Sequence, residues 1–471
     1  MASGRITKQD LASYCHALAV AGEEQWGLNA FSHVNSREFI LEQAENEGPL
    51  AGIAISIKSN LAVRELPLTA SSAMLATGVS CGYDAEVVRI LRSAGAIVVG
   101  TTQMDEFGMG SLGTNLGEGS KCQTKNPIPF MNAATTTRTH DQWELEIKKP
   151  YDAILEDHSL CTEPEHEGLW YAGGSSCGSA ASVAHGSSIV SLASDTGGSI
   201  RLPAAWCGIT GFKPSYGRLS RKGLVSYASS LDTIGCLAPS AECISIVMNQ
   251  MDMQPCHTYG ASVSATDSTV THKHQAVTND RQGFLVGIPS AFSVDGCPEE
   301  IRDAWASAAR HLQQGGATLV EIPCSLISSD IIRASLAAYY IIASAEASSN
   351  LSRYDGLRFG LSHEATAGSK QHSLDDFSVL ESNYATARSM GFGKEVLRRI
   401  LSGTSVLSSD RFHTHYEAAS RIRAEVSRQM GLALETVDVL VTPTCLSFPT
   451  TAEVDPTGMF ANDVLTVPVS L

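Results

Sequence analysis

Basic residues are scarce in this chain of 471: 33 lysines and arginines stand against 49 aspartates and glutamates, a net charge of −16. That balance excludes a surface that grips a phosphate backbone by itself, which needs clustered positive charge. If nucleic acid takes part, a partner holds it. Aromatic residues are also few, at 6%. No apolar run approaches the roughly 18 residues needed to cross a bilayer, and "LAAYYIIASA" (336–345) reads as a core helix. The start, "MASGRITKQDLASYCHALA", has no signal-peptide apolar stretch and no clear transit peptide. The 12 cysteines, scattered from Cys15 to Cys445, contain no C-x-x-C pair, which argues against a zinc ribbon and a disulfide framework and leaves reduced thiols.

Glycine, at 40 residues, is abundant, so tight turns and close backbone approaches are expected. The length can bury a large core and fits one large α/β domain or two or three ordinary ones. Strand and helix patterns alternate. In "GIAISIKSN" (52–60), Ile53, Ile55 and Ile57 point one way and Ala54, Ser56 and Lys58 the other. "DAEVVRILRSAG" (84–95) has helical spacing, with Asp84 a candidate N-cap, and leads into the strand "AIVVG". The rhythm returns in "GFLVGIP" and in a helix from Pro298 burying Ile301, Trp305, Ala308 and Leu312, which stops at Gly315 and Gly316 before the strand "TLVEI". A helix around 412–430 precedes the apolar run "VDVLVTP". Such alternation implies helices packed over a largely parallel or mixed sheet. Residues 127–170 and 257–282 lack a sustained period and read as surface insertions.

Two glycine-serine runs carry the chemistry. "GGSSCGS" (173–179) reads as too small and polar for core. Its GSSCG fits the G-x-S-x-G nucleophile elbow centred on Ser176. The elbow requires a buried strand before it, and "EPEHEGLWYAGG" (163–174) is a poor one. In the second run, "SIVSLASDTGGSIRLPAAWCG" (188–208), an apolar strand leads into Asp195-Thr196-Gly197-Gly198-Ser199 and then a short helix containing Pro203. The two glycines let successive N–H groups converge beside a helix N-terminus, suited either to stabilising an oxyanion or to making a tight turn. Ser199 would sit beside the developing charge. A serine at its ordinary pKa needs a base. Lys58, ending an apolar strand, is a solvated strand end or, if desolvated, a neutral amine able to act as one.

Here the chain resembles the amidase-signature family, whose marks are a Gly-Gly-Ser-Ser-Gly-Gly-Ser run, a following Asp-Thr-Gly-Gly-Ser-Ile-Arg and an upstream lysine. "GGSSCGS", "DTGGSIR" and "AISIKSN" stand in those places, with 199 − 175 = 24 residues between the two serines. The resemblance implies one amidase-signature domain over 1–471 in the α/β class, a large mixed, mostly parallel sheet covered by helices on both faces. It also implies a Ser-Ser-Lys triad. Ser199 attacks an amide carbonyl; Ser175, on a cis peptide after Gly174, relays the proton to Lys58; Thr196, Gly197 and Gly198 form the oxyanion hole.

"GTTQMDEFGMGS" (100–111), "FKPSYGRLSRKGLVSYASSLDTIG" (212–235), "YYIIASAEASSNLSRYDGLRFG" (339–360), "GFGKEVLRRILSGT" (391–404) and "MFANDVLTVPV" (459–469) are similar to the glutamine-hydrolysing members that serve tRNA-dependent amidotransferases. That similarity implies a glutaminase that supplies ammonia for converting Glu-tRNA(Gln) to Gln-tRNA(Gln). Tyr339, Arg399 and Asp463 would bind glutamine, Arg399 its α-carboxylate and Asp463 its α-ammonium, although Tyr339 is equally well a packed aromatic. The partners implied are the B and C subunits of such an amidotransferase: B would hold the tRNA and use ATP and Mg²⁺, and the small C would brace the pair. This chain would carry no cofactor. The setting implied is the mitochondrial matrix. The "MDEF" run reads as packing or a subunit interface. Cys177, Ser59 and Leu202 depart from the residues the family usually has there, and family members continue beyond the position of Leu471. A general amidase, or a noncatalytic structural subunit, stands as the alternative.

Overall fold

The computed structural model describes residues 6–76, 78–115, 123–130, 140–156, 170–252, 283–362, 377–450 and 460–471. In chain order the first part runs α1 (Lys8–Glu24), β1 (Phe31–Val34), α2 (Arg37–Gln43), β2 (Ala54–Lys58), α3 (Glu86–Ser93), β3 (Ile97–Thr102), α4 (His140–Ile147), α5 (Tyr151–Leu155), α6 (Cys177–His185), β4 (Val190–Asp195), α7 (Arg201–Trp206), β5 (Thr210–Phe212), β6 (Thr233–Ala238) and α8 (Ala241–Asp252). The second part runs β7 (Leu285–Pro289), α9 (Glu299–Gln314), β8 (Thr318–Ile322), α10 (Ser329–Asn350), α11 (Phe377–Gly391), α12 (Lys394–Val406), α13 (Glu417–Leu434) and β9 (Val439–Leu440).

Six strands form the main sheet in the order β1-β3-β2-β4-β6-β5. The three central strands β3, β2 and β4 are parallel, and the outer pairs are antiparallel. A second sheet of three parallel strands, in the order β8-β7-β9, was not anticipated from the sequence. The centre of the main sheet is apolar on both faces because each is covered. Ile55 and Ile57 of β2 pack with Val87, Val88 and Leu91 of α3 and with Val247 and Met248 of α8. Ala54 lies in the opposite cluster with Ala12 and Cys15 of α1 and Ala180 and Ala181 of α6. Full burial of each isoleucine contributes on the order of 1.5–3 kcal/mol. The strand period therefore holds: Ser56 bonds Ser182 at 2.9 Å on the α6 side, and Lys58 follows it onto that side.

Three local expectations change. Asp84 is not the cap of α3; Ala85 holds that position, and the Asp84 carboxylate accepts from the Arg64 N–H at 2.8 Å and pairs with Arg92 at 3.2 Å. In α9, only Ala309 is buried; Ala308 and Leu312 are exposed and Ile301 and Trp305 half-buried, because the helix lies over the outer strand β8, itself largely accessible. Within 127–170, α4 and α5 form and dock on α1: Ile154 packs against Tyr14, Ala17 and Leu18, and Tyr151 Oη lies 2.8 Å from His16 Nδ1. Residues 257–282 lie outside the described residues. Among the described residues no helix is long and apolar enough to cross a membrane, and nine cysteines are unpaired.

Candidate active site

The run 173–179 is entirely buried, contrary to its small, polar character. Glycines make that possible. A Cβ on Gly178 would stand 2.1 Å from the Ala30 carbonyl, and one on Gly174 would stand 2.0 Å from the Asp105 carboxylate. The peptide from Gly174 to Ser175 is cis. Lys58 is fully buried at the end of β2, and its Nζ lies 2.8 Å from Ser175 Oγ, 3.2 Å from Ser194 Oγ and 3.3 Å from the Ser194 carbonyl. Desolvation lowers the Lys58 pKa to about 8, against the opposing pull of Asp105, Asp195 and Asp232. A neutral amine has two N–H donors and one lone pair. The Ser194 carbonyl can only accept; with Ser194 Oγ taking the second N–H, the lone pair faces the Ser175 hydroxyl. The charged amine donates to Ser175 Oγ, and the neutral amine is able instead to accept the Ser175 proton.

Ser176 is spent on structure: its hydroxyl donates to the Ser194 carbonyl at 3.3 Å, and the residue stands at the N-cap position of α6 without a side-chain bond to the helix. Cys177 packs under Gly113, where a Cβ would meet its own at 2.6 Å, and burial pushes its thiol up to about 12, so it stands near Lys58 uncharged. Leu202 packs with Trp206, and buried Ser59 is held by backbone bonds to Thr102 and Ala70.

β4 delivers the second run. Asp195, at the strand end, accepts from Arg201 Nε at 3.0 Å and Nη2 at 2.8 Å, and from the Ile200 N–H at 3.0 Å. Burial works against its charge, but the Arg201 guanidinium prevails and holds the carboxyl below its ordinary pKa. This clamp folds Thr196–Ser199 into a turn before α7. Thr196 Oγ1 donates to Asp232 at 2.8 Å, and Gly198 has φ 153°, which side-chain-bearing residues rarely adopt. Among the described residues, the N–H groups of Thr196, Gly197 and Gly198 donate to no protein acceptor. The Ser199 carbonyl accepts from the Ser176 N–H at 3.2 Å and joins the two runs. The hydroxyls of Ser175 and Ser199 are not hydrogen-bonded to each other in this arrangement.

Ser199, Gly197 and Gly198 line a small cleft whose other walls include Ser111, Tyr339, Tyr340, Arg399 and Asp463. All three residues expected to bind substrate are therefore present. Tyr339 brings the hydroxyl-bearing end of its ring against Gly197, where a Cβ would stand 2.5 Å from the ring. Its neighbour Tyr340, which no sequence motif marks, donates to Asp463 Oδ2 at 2.6 Å, and Ser111 donates to the same oxygen at 3.0 Å. Burial raises the Asp463 pKa to about 6 despite these bonds. Arg399 is buried and held by Glu395 at 2.8 Å and by the Tyr227 hydroxyl; Arg398 points out, with 56% of its side chain exposed. Burial opposes the Arg399 charge, and the surrounding tyrosines and Glu395 more than offset it.

The "MDEF" residues are packing rather than interface. Asp105 is fully buried; its carboxylate accepts from the N–H groups of Gly113 at 3.1 Å and Asn115 at 2.9 Å, and its own N–H donates to the Ser175 carbonyl at 3.1 Å. Glu106 accepts from Ser72 Oγ at 2.5 Å and from the N–H of Gly393, the cap of α12, at 2.8 Å. One acidic residue thus holds the serine loop and the next holds the helix that carries Arg399.

A model of the family described as "Amidase" matches residues 24–130 and 164–471, leaving out most of the segment that holds α4 and α5. Over 451 residues the chain is 37% identical to the A subunit of glutamyl-tRNA(Gln) amidotransferase from Synechococcus sp. strain JA-2-3B'a(2-13), covering 95% of this chain and 75% of that one. It is 36% identical over 480 residues to the chloroplastic/mitochondrial A subunit of glutamyl-tRNA(Gln) amidotransferase from Oryza sativa subsp. indica, covering 99% and 75%. The crystal structure of the corresponding A subunit from Thermotoga maritima is similar with a TM-score of 0.66 and 25% identity, over 99% of this chain and 85% of that chain. The fold is shared with 6-aminohexanoate cyclic dimer hydrolase, at a TM-score of 0.69 and 19% identity over 99% and 85%.

Proposed function

The chain belongs to the amidase family, and from that premise we propose that it is the glutamine-hydrolysing subunit of a tRNA-dependent amidotransferase, supplying ammonia for conversion of Glu-tRNA(Gln) to Gln-tRNA(Gln). One observation carries this reading: Arg399 and Asp463, of opposite charge, line the same small cleft as Ser199. A free α-amino acid presents a carboxylate and an ammonium at one end, and these two side chains complement it. The side-chain amide of glutamine then reaches toward Ser199.

Ser199 Oγ attacks the amide carbon while its proton passes to Ser175 and the Ser175 proton to Lys58. The N–H groups of Thr196, Gly197 and Gly198 meet the oxyanion. Collapse of the tetrahedral intermediate breaks the C–N bond, and the proton returns through Ser175 to the leaving nitrogen, which departs as ammonia. Water, deprotonated by the same relay, hydrolyses the glutamyl ester and restores Ser199. In this reading the B subunit holds Glu-tRNA(Gln) and uses ATP and Mg²⁺ to activate the glutamyl group, and the small C subunit braces the assembly. The acidic charge of this chain suits a component that need not touch much RNA. The chloroplastic/mitochondrial naming of the rice relative supports an organellar setting, within which we propose the mitochondrial matrix.

The test is glutamine hydrolysis by the chain assembled with its B and C partners. Stimulation by ATP and Glu-tRNA(Gln) is expected. Equal hydrolysis of amides that lack an α-amino acid end, without dependence on partners, would make the chain a general amidase instead.

A further inference from the structure

Thr466 lies between two short 3-10 segments, Asn462–Leu465 and Val467–Val469, and every polar atom it has is committed. Its N–H donates to the Asp463 carbonyl at 3.2 Å. Its carbonyl accepts from Arg201 Nη1 at 2.8 Å, and that guanidinium is locked by Asp195. Its hydroxyl donates to the Gly197 carbonyl at 2.6 Å, with the Asp463 carbonyl a more distant acceptor at 3.2 Å. The side chain is buried, 3% exposed, and leaves no room for a Cβ on Gly198, which would stand 2.5 Å from Thr466 Oγ1.

The peptide joining Gly197 to Gly198 is trans, so its C=O and N–H point in opposite directions across one rigid plane. Fixing the carbonyl on Thr466 therefore fixes the Gly198 N–H on the other side, away from Thr466. A glycine-glycine peptide has little intrinsic preference to hold that orientation. We propose that Thr466 is a positioning residue of the oxyanion turn: through the Gly197 carbonyl it aims the Gly198 N–H at the oxygen that becomes charged when Ser199 attacks. The same 3-10 turn carries Asp463, so one element aligns the contact to the substrate's ammonium end and the donor at its reacting end.

This proposal rests on the hydrolase reading above, and the experiment separates the two. Glutamine hydrolysis is measured for the assembled wild type, Ser199→Ala, Thr466→Val and Thr466→Ser. An inactive wild type overturns the reading of function. With an active wild type, Thr466→Val, which keeps shape and removes the donor, is expected to lower kcat by about 10–100-fold with KM changed less than about 3-fold, since losing a whole oxyanion donor costs about 10²–10³. Thr466→Ser is expected to stay within about 3-fold of wild type. If Thr466→Val does not fold, Thr466→Cys, a weak donor, replaces it and is expected to show the same split. Unchanged kcat in the variant lacking the donor, a fall in which KM rises as much as kcat drops, or loss of rate in Thr466→Ser would overturn the proposal.

Discussion

Lys58 Nζ lies 2.8 Å from the hydroxyl of Ser175, and neither group is exposed to solvent. Desolvation brings the lysine to about 8, and only its neutral form can take the serine proton. The folded pKa lies below the ordinary lysine value, so the active form gains as pH rises. We predict that kcat/KM for glutamine climbs about tenfold per pH unit between about pH 6 and 8 and levels above about pH 8. Lys58→Arg, which cannot deprotonate, should remove the rising limb together with nearly all activity. A pH–rate profile checks both.

Asp463 should add a second ionisation through substrate affinity. Burial raises its pKa to about 6, so below that pH the carboxyl is neutral and no longer attracts an ammonium group. KM for glutamine is expected to rise as pH falls through about 6, with kcat less affected. Asp463→Asn should raise KM at pH 7 by one to two orders of magnitude, about 1.5–3 kcal/mol for a lost charge-assisted bond. Steady-state kinetics across pH 5–7 reads the effect.

Tyr340 and Ser111 share one oxygen of Asp463. Removing the tyrosine hydroxyl leaves the carboxylate with less support and frees it to turn. Tyr340→Phe should raise KM about 3–10-fold, consistent with about 0.5–1.5 kcal/mol for one hydrogen bond. Titration with glutamine measures it.

Glu106 should act at a distance on the same quantity. It ties Ser72 to the capping N–H of α12, and that helix presents Arg399. Glu106→Ala leaves the cap unpaired and is expected to raise KM several-fold more than it lowers kcat, and to cost about 1–3 kcal/mol of stability. Kinetics and thermal melting of the same preparation separate the two effects.

The side of the sheet taken by Lys58 was legible because a strand has a period of two, and Ile55 and Ile57 mark the apolar side. The turn at Gly197 and Gly198 was legible because few other residues allow it. Choosing between Tyr339 and Tyr340 was not: successive helical residues point about 100° apart, and only the packing of α10 shows that one ring covers Gly197 while the other reaches Asp463. Ser111 and Thr466 carry no local signal, since their partners lie hundreds of residues away. The burial of 173–179 was misread because small polar residues enter a core wherever backbone atoms approach closely and each hydroxyl finds a partner. The helices α4 and α5 were hidden because their apolar residues mark no single face: Trp143 and Leu145 are exposed, while Ile147, Tyr151, Ile154 and Leu155 pack toward α1.

The identity of the nucleophile is tested most directly by quenching the assembled enzyme during glutamine turnover and locating the glutamyl adduct by peptide mass spectrometry. The account predicts an adduct on the peptide that bears Ser199, accumulating to lower levels in Lys58→Arg. An adduct on Ser176 or Cys177 instead, or undiminished glutamine hydrolysis by Ser199→Ala, would contradict it.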